Sequence, residues 1–117
     1  MEDIKKEQVK PYTMLRVTKM VSGFSHIPVE VLKSKAQYKS VTCARNVCYH
    51  FIRQLVKSKS RTGKVPYKKI GKFFNRDHST LLNGKQTLKD MLFTQEEMYV
   101  NLMTAMENKI ANQEVKL

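Results

Sequence analysis

Glycine and proline are scarce in this chain, four and three among 117 residues. The long stretches between them favour helices over turn-rich β architectures, and no alternating strand pattern appears. Long apolar runs are missing as well, and nothing approaches the roughly 18 consecutive apolar residues of a membrane span. The opening MEDIKKEQVK is charged with no apolar run behind it, so it does not read as a signal peptide. Cysteine is limited to Cys43 and Cys48. Their spacing points two thiols apart on a helix, and with His50 they fall one ligand short of a tetrahedral metal site. Small buried thiols in a reducing cytosol are the expectation, with no metal and no cofactor.

Acid is scarcest in the middle of the chain. From Lys33 to Lys85 there are fourteen Lys or Arg and a single acid, Asp77, whereas from Thr94 onward four Glu face two Lys. A field this concentrated repels itself unless a polyanion lies against it. Nucleic acid is the expected partner, ahead of a solvated basic face with no partner or an acidic membrane surface, and no small-molecule substrate is expected. One acid in the basic span leaves no catalytic constellation, and no phosphate-binding G-x-x-x-x-G-K-[ST] passes through Gly23, Gly63, Gly71 and Gly84. The expectation is a binding protein and not an enzyme.

The hydrophobic content, 41%, is enough for one compact core at this length. Helical spacing of Met14, Val17, Val21 and Phe24 predicts a first helix over 12–24, ended near Gly23 and His26. Pro28 suits the start of a short helix over 28–33, with Val31 and Leu32 inward. The stretch SKAQYKSVT, 34–42, has no helical period and reads as a polar arm. A third helix over 44–57 buries Val47, Cys48, Phe51 and Leu55 and carries Arg45, Arg53 and Lys57 on its other side. SKSRTGKVP, 58–66, is a loop by composition. A fourth helix over 66–74 turns Ile70 and Phe73 or Phe74 inward and Lys68, Lys69 and Lys72 outward. A fifth over 78–93 is anchored by Leu81, Leu82, Leu88, Met91 and Leu92. Thr94 and Glu97 then form a capping box that opens a helix with Met98, Leu102, Met103, Met106 and Ile110 on one side. The fold class is all-α: a five- to six-helix domain with a helix-turn-helix, plus a C-terminal amphipathic helix. The expected organisation is a tail over 1–11, a domain over 12–93 and the C-terminal helix over 94–117. That last helix either packs back on the domain, the favoured reading, or docks a second copy or a replication protein as an adaptor would.

Only about three residues separate the fourth and fifth helices, so they must cross steeply, as in a helix-turn-helix. Gly71 permits close approach, and Asn75 tolerates the left-handed conformation of a sharp helix exit. In such a unit the N-terminal residues of the second helix enter the major groove. Here they are Arg76, Asp77, His78, Ser79 and Thr80. Arg76 suits guanine or a phosphate, Asp77 a cytosine amino group, and the hydroxyls a thymine methyl or a base edge. Asp77 is equally a good helix N-cap, and His78 a solvated first-turn residue.

IGKFFNRDHSTLLNG resembles the signature of the C-terminal DNA-binding domain of the bacterial replication initiator DnaA. VSGFSHIPVEVLKSK is similar to that family's lead-in helices, and the arm KSKAQYKSV precedes the helix ARNVCYHFIRQL in the right order. The resemblance covers 13–93. It implies a double-stranded DNA binder whose Arg76, Asp77, His78, Ser79 and Thr80 dock the recognition helix. It further implies phosphate or arm contacts by Lys35, Gln37, Lys39, Arg45, Arg53, Lys68, Lys69 and Lys85. The longer loop adds Lys59, Arg61 and Lys64, either as contacts or as a solvated surface. Two departures stand out: Gln37 holds the position of an arm arginine that enters the minor groove, and the 58–66 loop is longer and more basic than usual. A cytoplasmic, nucleoid-associated protein of a bacterium or a phage-infected cell is implied, acting in replication or transcription control. RNP-type aromatic strands and a G-x-x-G loop are lacking, which argues against structured RNA.

Overall fold

The computed structural model describes residues 11–115, with side chains to Gln113, so most of the expected tail lies outside the described residues. Among the described residues there are six α-helices and no strand: α1 Met14–Ser25, α2 Val29–Leu32, α3 Lys39–Leu55, α4 Tyr67–Phe74, α5 His78–Phe93 and α6 Glu97–Val115. No helix among them is long and apolar enough to cross a membrane. α3 is the centre, lying against α1, α2, α5 and α6.

α1 starts on Thr13, whose hydroxyl accepts from the Arg16 amide at 3.0 Å, and stops at His26 in the left-handed region, φ 61°. Val17 and Val21 are buried, but Phe24 sits at the edge of the apolar face and stays exposed. α3 begins at Lys39, five residues before the expected start. Ser40, Val41 and Thr42 are indifferent helix formers, at up to ~0.7 kcal/mol each. Burial of Val41, Cys43 and Ala44 outweighs that cost, since one buried aliphatic side chain contributes about 1.5–3 kcal/mol. The arm is therefore only 34–38. Cys43 and Cys48 are both reduced and buried. Burial pushes the Cys43 thiol up to about 12 and the Cys48 thiol further in the same direction.

Between α3 and α4 the chain doubles back. Lys57 and Lys64 form an antiparallel bridge, the Ser58 amide donates to the Gly63 carbonyl, and Gly63 takes φ 76°. The basic loop is thus a small hairpin. Leu81 and Leu88 anchor α5, whereas Leu82, 100° further round the helix, is exposed and does not join the core as expected. Asn83-Gly84, a dipeptide suited to hairpin turns, lies inside this helix. A Cβ on Gly84 would collide with the Asn46 amide oxygen and meet the Tyr49 ring at 3.3 Å. The glycine lets α5 press directly onto α3.

The capping box at Thr94 does not form. The Thr94 hydroxyl donates back to the Asp90 and Met91 carbonyls, Gln95 turns left-handed, and Glu96 accepts from the Met98 amide instead. This tight turn reverses the chain, and α6 runs back over α1 and α3. Tyr99, Leu102, Met103 and Met106 are buried there, so most of the Met-bearing stripe fills the core.

The glycines give a paired test. Gly84→Ala overpacks the α3–α5 contact and should cost about 1–3 kcal/mol. Gly23, with open space around its missing side chain, should gain about 0.5–1 kcal/mol on conversion to alanine. Urea unfolding of both variants measures the difference; equal effects would mean that α5 does not press on α3.

Candidate nucleic-acid interface

α4 ends on Asn75, which adopts the left-handed conformation at φ 58°, ψ 46°. The chain then folds back, and the Arg76 amide donates to the Gly71 carbonyl at 2.7 Å. The Arg76 carbonyl lies where a Cβ of Gly71 would be. Gly71 is therefore needed by the turn itself more than by the approach of the second helix.

Asp77 is extended, φ −88° and ψ 170°, and caps α5. Its Oδ1 accepts from the Thr80 hydroxyl at 2.7 Å, the Thr80 amide at 3.3 Å and the Ser79 hydroxyl at 3.4 Å. These bonds, the Thr80 hydroxyl foremost, hold the carboxyl below its usual range. The carboxylate is thus ionised and fixed in direction, with Oδ2 left to accept from a donor outside the chain. His78, Ser79 and Thr80 are exposed beside it. The His78 ring stands edge-on to Tyr67, centroids 5.8 Å apart.

Arg76 turns toward the arm, its Nη2 donating to the Ser34 carbonyl at 2.6 Å. It remains half-buried, not a free side chain at the helix tip. Arg45, expected to meet phosphates, is only 4% exposed. Its Nε donates to Leu32 O at 2.8 Å, and its Nη2 to Ser34 O and Ala36 O at 3.0 Å and Val31 O at 3.4 Å. A buried guanidinium is costly unless bonded, and these carbonyls occupy its Nε and Nη2. Burial first, and then the neighbouring Arg76, lower its pKa. Arg45 is an internal clamp, and its expected phosphate role is corrected.

The arm so held exposes Lys35, Gln37, Tyr38 and Lys39. Tyr38, 75% exposed, occupies the N-cap of α3 and makes no side-chain cap bond. A Ser, Thr, Asp or Asn there would contribute about 1 kcal/mol. Lys39, in the first turn, opposes the helix dipole by a further ~0.3–1 kcal/mol. Nothing in the sequence pattern marked Tyr38 out, because its neighbours are polar and aperiodic.

A concavity of about 510 Å³ opens between α3, the hairpin and α5. Arg53, Lys64, Lys85 and Lys89 line it, with no Asp or Glu. Arg53 is half-buried: it donates to the Val65 carbonyl at 2.8 Å and lies 4.3 Å from the Tyr67 ring centroid. Tyr49, 3% exposed, also borders the cleft, but its hydroxyl is buried beside Arg45 and Arg76. Such a cleft can hold a phosphate group. Through Tyr67 it adjoins His78, so Arg53, Lys64 and Lys85 are brought near the α5 start. Lys68 and Lys69 lie exposed on α4, and Lys59 and Arg61 on the hairpin; no bond ties these four to α5.

Replacing Arg45 checks its reassignment. Arg45→Ala leaves buried carbonyls unpaired and should destabilise by about 2–5 kcal/mol, against less than ~0.5 kcal/mol for Lys59→Ala. Urea midpoints that match for the two variants would return Arg45 to the surface.

The chain is similar to curated proteins over this same region. It is 30% identical over 74 residues to the chromosomal replication initiator protein DnaA of Onion yellows phytoplasma (strain OY-M), covering 63% of this chain and 13% of that protein. It is 28% identical over 89 residues to DnaA 2 of Protochlamydia amoebophila, covering 76% and 18%. It is 30% identical over 95 residues to DnaA of Streptococcus mutans, covering 80% and 19%. The chain thus spans less than a fifth of the length of these relatives. Residues 14–87 match the family described as the bacterial dnaA protein helix-turn-helix, a segment that holds α1 to α4, the turn and the first ten residues of α5. The chain belongs to that family.

Proposed function

We propose that this protein binds double-stranded DNA in a sequence-specific manner, with the first turn of α5 in the major groove. The observation that carries the reading is Asp77: an ionised, oriented carboxylate at the tip of a helix-turn-helix in an otherwise basic surface. An acid beside phosphates is unfavourable unless its oxygen meets a donor on a base, and cytosine offers such an amino group in the major groove. His78, Ser79 and Thr80 complete the reading surface, and Arg76 supports it by holding the arm. Lys35, Lys39, Lys68 and Lys69, with Arg53, Lys64 and Lys85 around the cleft, supply the phosphate contacts that position the duplex. The relatives are named for replication initiation, and action at duplex sites in the control of replication or transcription is part of this proposal.

Selection from random duplex DNA at about 150 mM salt should recover a defined motif. Recovery of none would leave a non-specific binder. On the selected site, Asp77→Ala should relax one position, by about 1–3 kcal/mol of discrimination. Lys39→Ala should weaken all sequences alike and lower the salt slope by about one. Uniform losses from both variants would reduce Asp77 to a helix cap.

A further inference from the structure

The cleft between α3, the hairpin and α5 gathers more positive charge than a duplex can use. Arg53, Lys64, Lys85 and Lys89 converge on it, and none of the described residues lining it is an Asp or Glu. Along α5 it extends from Lys85 to Leu92. Those positions lie roughly 10 to 21 Å beyond His78 along the helix axis, whereas the major groove is only about 8.5 Å deep. A duplex that takes the first turn of α5 therefore meets the cleft at Lys85 and leaves the rest of it open. What it leaves open is not shaped for a bare phosphate. Apart from Asn46, whose amide is bonded to the Tyr99 hydroxyl, the buried lining is apolar: Leu88 and the ring of Tyr49, with half-buried Leu92 beyond. His50 and the Gln54 amide border this lining from α3. Partial burial lowers the His50 pKa, against an opposing pull from Glu107 on α6. The ring is thus neutral at pH 7 and can accept as well as donate a hydrogen bond. Arg53 is preset, because Nη1 donates to the Val65 carbonyl and the guanidinium lies against the Tyr67 ring, which leaves Nε and Nη2 for a ligand.

We propose that this cleft is a binding site for a free nucleoside polyphosphate, its base on the apolar lining beside His50 and Gln54 and its phosphates among Arg53, Lys64, Lys85 and Lys89. The volume, about 510 Å³, is that of a small-ligand site, and an apolar lining with a few convergent polar groups is the usual make-up of one. Four cations exceed the charge of one phosphate group, at most about −2, so two or more phosphates are needed to balance them. Side chains alone meet the anion. No carboxylate lines the cleft to hold a hard cation, so the ligand is the metal-free anion. Arg53, Lys64 and Lys85 are also given to duplex phosphates in the DNA-binding reading above. They cannot serve both partners, so an occupied cleft weakens the hold on DNA. That consequence rests on the DNA-binding reading, whereas the site itself does not.

The test titrates the full chain with magnesium-free ADP by calorimetry at about 150 mM salt. One equivalent should bind, about tenfold tighter than AMP and about tenfold tighter than inorganic pyrophosphate. Lys89 is exposed and takes no part in the proposed duplex contacts. Lys89→Glu should therefore keep the melting temperature and the selected DNA motif while losing about tenfold in ADP affinity. At constant ionic strength, saturating ADP should weaken wild-type binding to the selected duplex several-fold and leave that of Lys89→Glu unchanged. Absence of saturable ADP binding overturns the proposal. So does equal affinity for pyrophosphate, which marks an adventitious anion site only, or ADP affinity that survives Lys89→Glu. Duplex affinity unmoved by saturating ADP places the ligand outside the cleft and overturns it as well. In each of those cases a selected motif still upholds DNA binding. A wild type that binds ADP as stated but no duplex keeps the site and removes the DNA-binding reading.

Discussion

The Ser34 carbonyl accepts from two guanidinium groups at once, Arg76 at 2.6 Å and Arg45 at 3.0 Å. Two like charges that close repel, and neither gains a carboxylate to offset the other. What holds them is the backbone: the end of α2 offers the Leu32 carbonyl, beside a Val31 carbonyl that already accepts from the Ser34 amide and hydroxyl, and the arm adds those of Ser34 and Ala36. Together they make a patch of negative partial charge that a guanidinium can fill from the α3 side. Arg45 fills it and Arg76 shares its edge. The path continues through the Arg76 backbone, whose amide reaches the Gly71 carbonyl. α2, the arm, α3, the turn and α4 are thereby fixed relative to one another through a single set of polar contacts. Moving any one element would leave a buried charge or a buried carbonyl unpaired.

The other side of α5 is set by contact, not by charge. Leu81, Gly84 and Leu88 share one face, and only a glycine at 84 allows that face to reach Asn46 and Tyr49. Asn46 in turn donates to the Tyr99 hydroxyl at 3.2 Å, which ties α6 to the same point on α3. This fixes the rotation of α5, so that Asp77, His78, Ser79 and Thr80 point away from the protein. A helix braced along its length and capped by Asp77 presents those side chains with little freedom left to lose. Binding then spends less on ordering the protein.

How much of this was legible follows from which force decided each feature. The helix-turn-helix was legible because its signals are local. Asn75 adopts the left-handed exit that its side chain tolerates, and Asp77 begins α5 at the expected residue. Features decided by tertiary contact were not. The start of α3 moved back to Lys39 because Val41 and Cys43 find a core that no period within 34–42 announces. Arg45 looked like one more cation in a basic run, and only the carbonyls gathered around it turn it inward. The Thr94 capping box had the right spacing, yet the reversal into α6 needed the Thr94 hydroxyl for the outgoing carbonyls of α5. A pattern states what a residue can do, and the competing partners decide which option is taken.

The two helix starts at the interface show how function and stability can be combined or opposed. At α5 they combine: Asp77 caps with Oδ1, so the residue proposed to read bases also stabilises the helix. At α3 they oppose, because Tyr38 and Lys39 both do less for the helix than common alternatives would. The opposition is tolerable only because α3 does not depend on its cap. Ten of its seventeen residues are buried, and the Arg45 clamp holds the preceding chain in place whatever side chain sits at 38. A helix secured by its middle tolerates a weak first turn, so an exposed aromatic and an unfavourable charge can stand together at the start of α3, the best-buried helix of the fold.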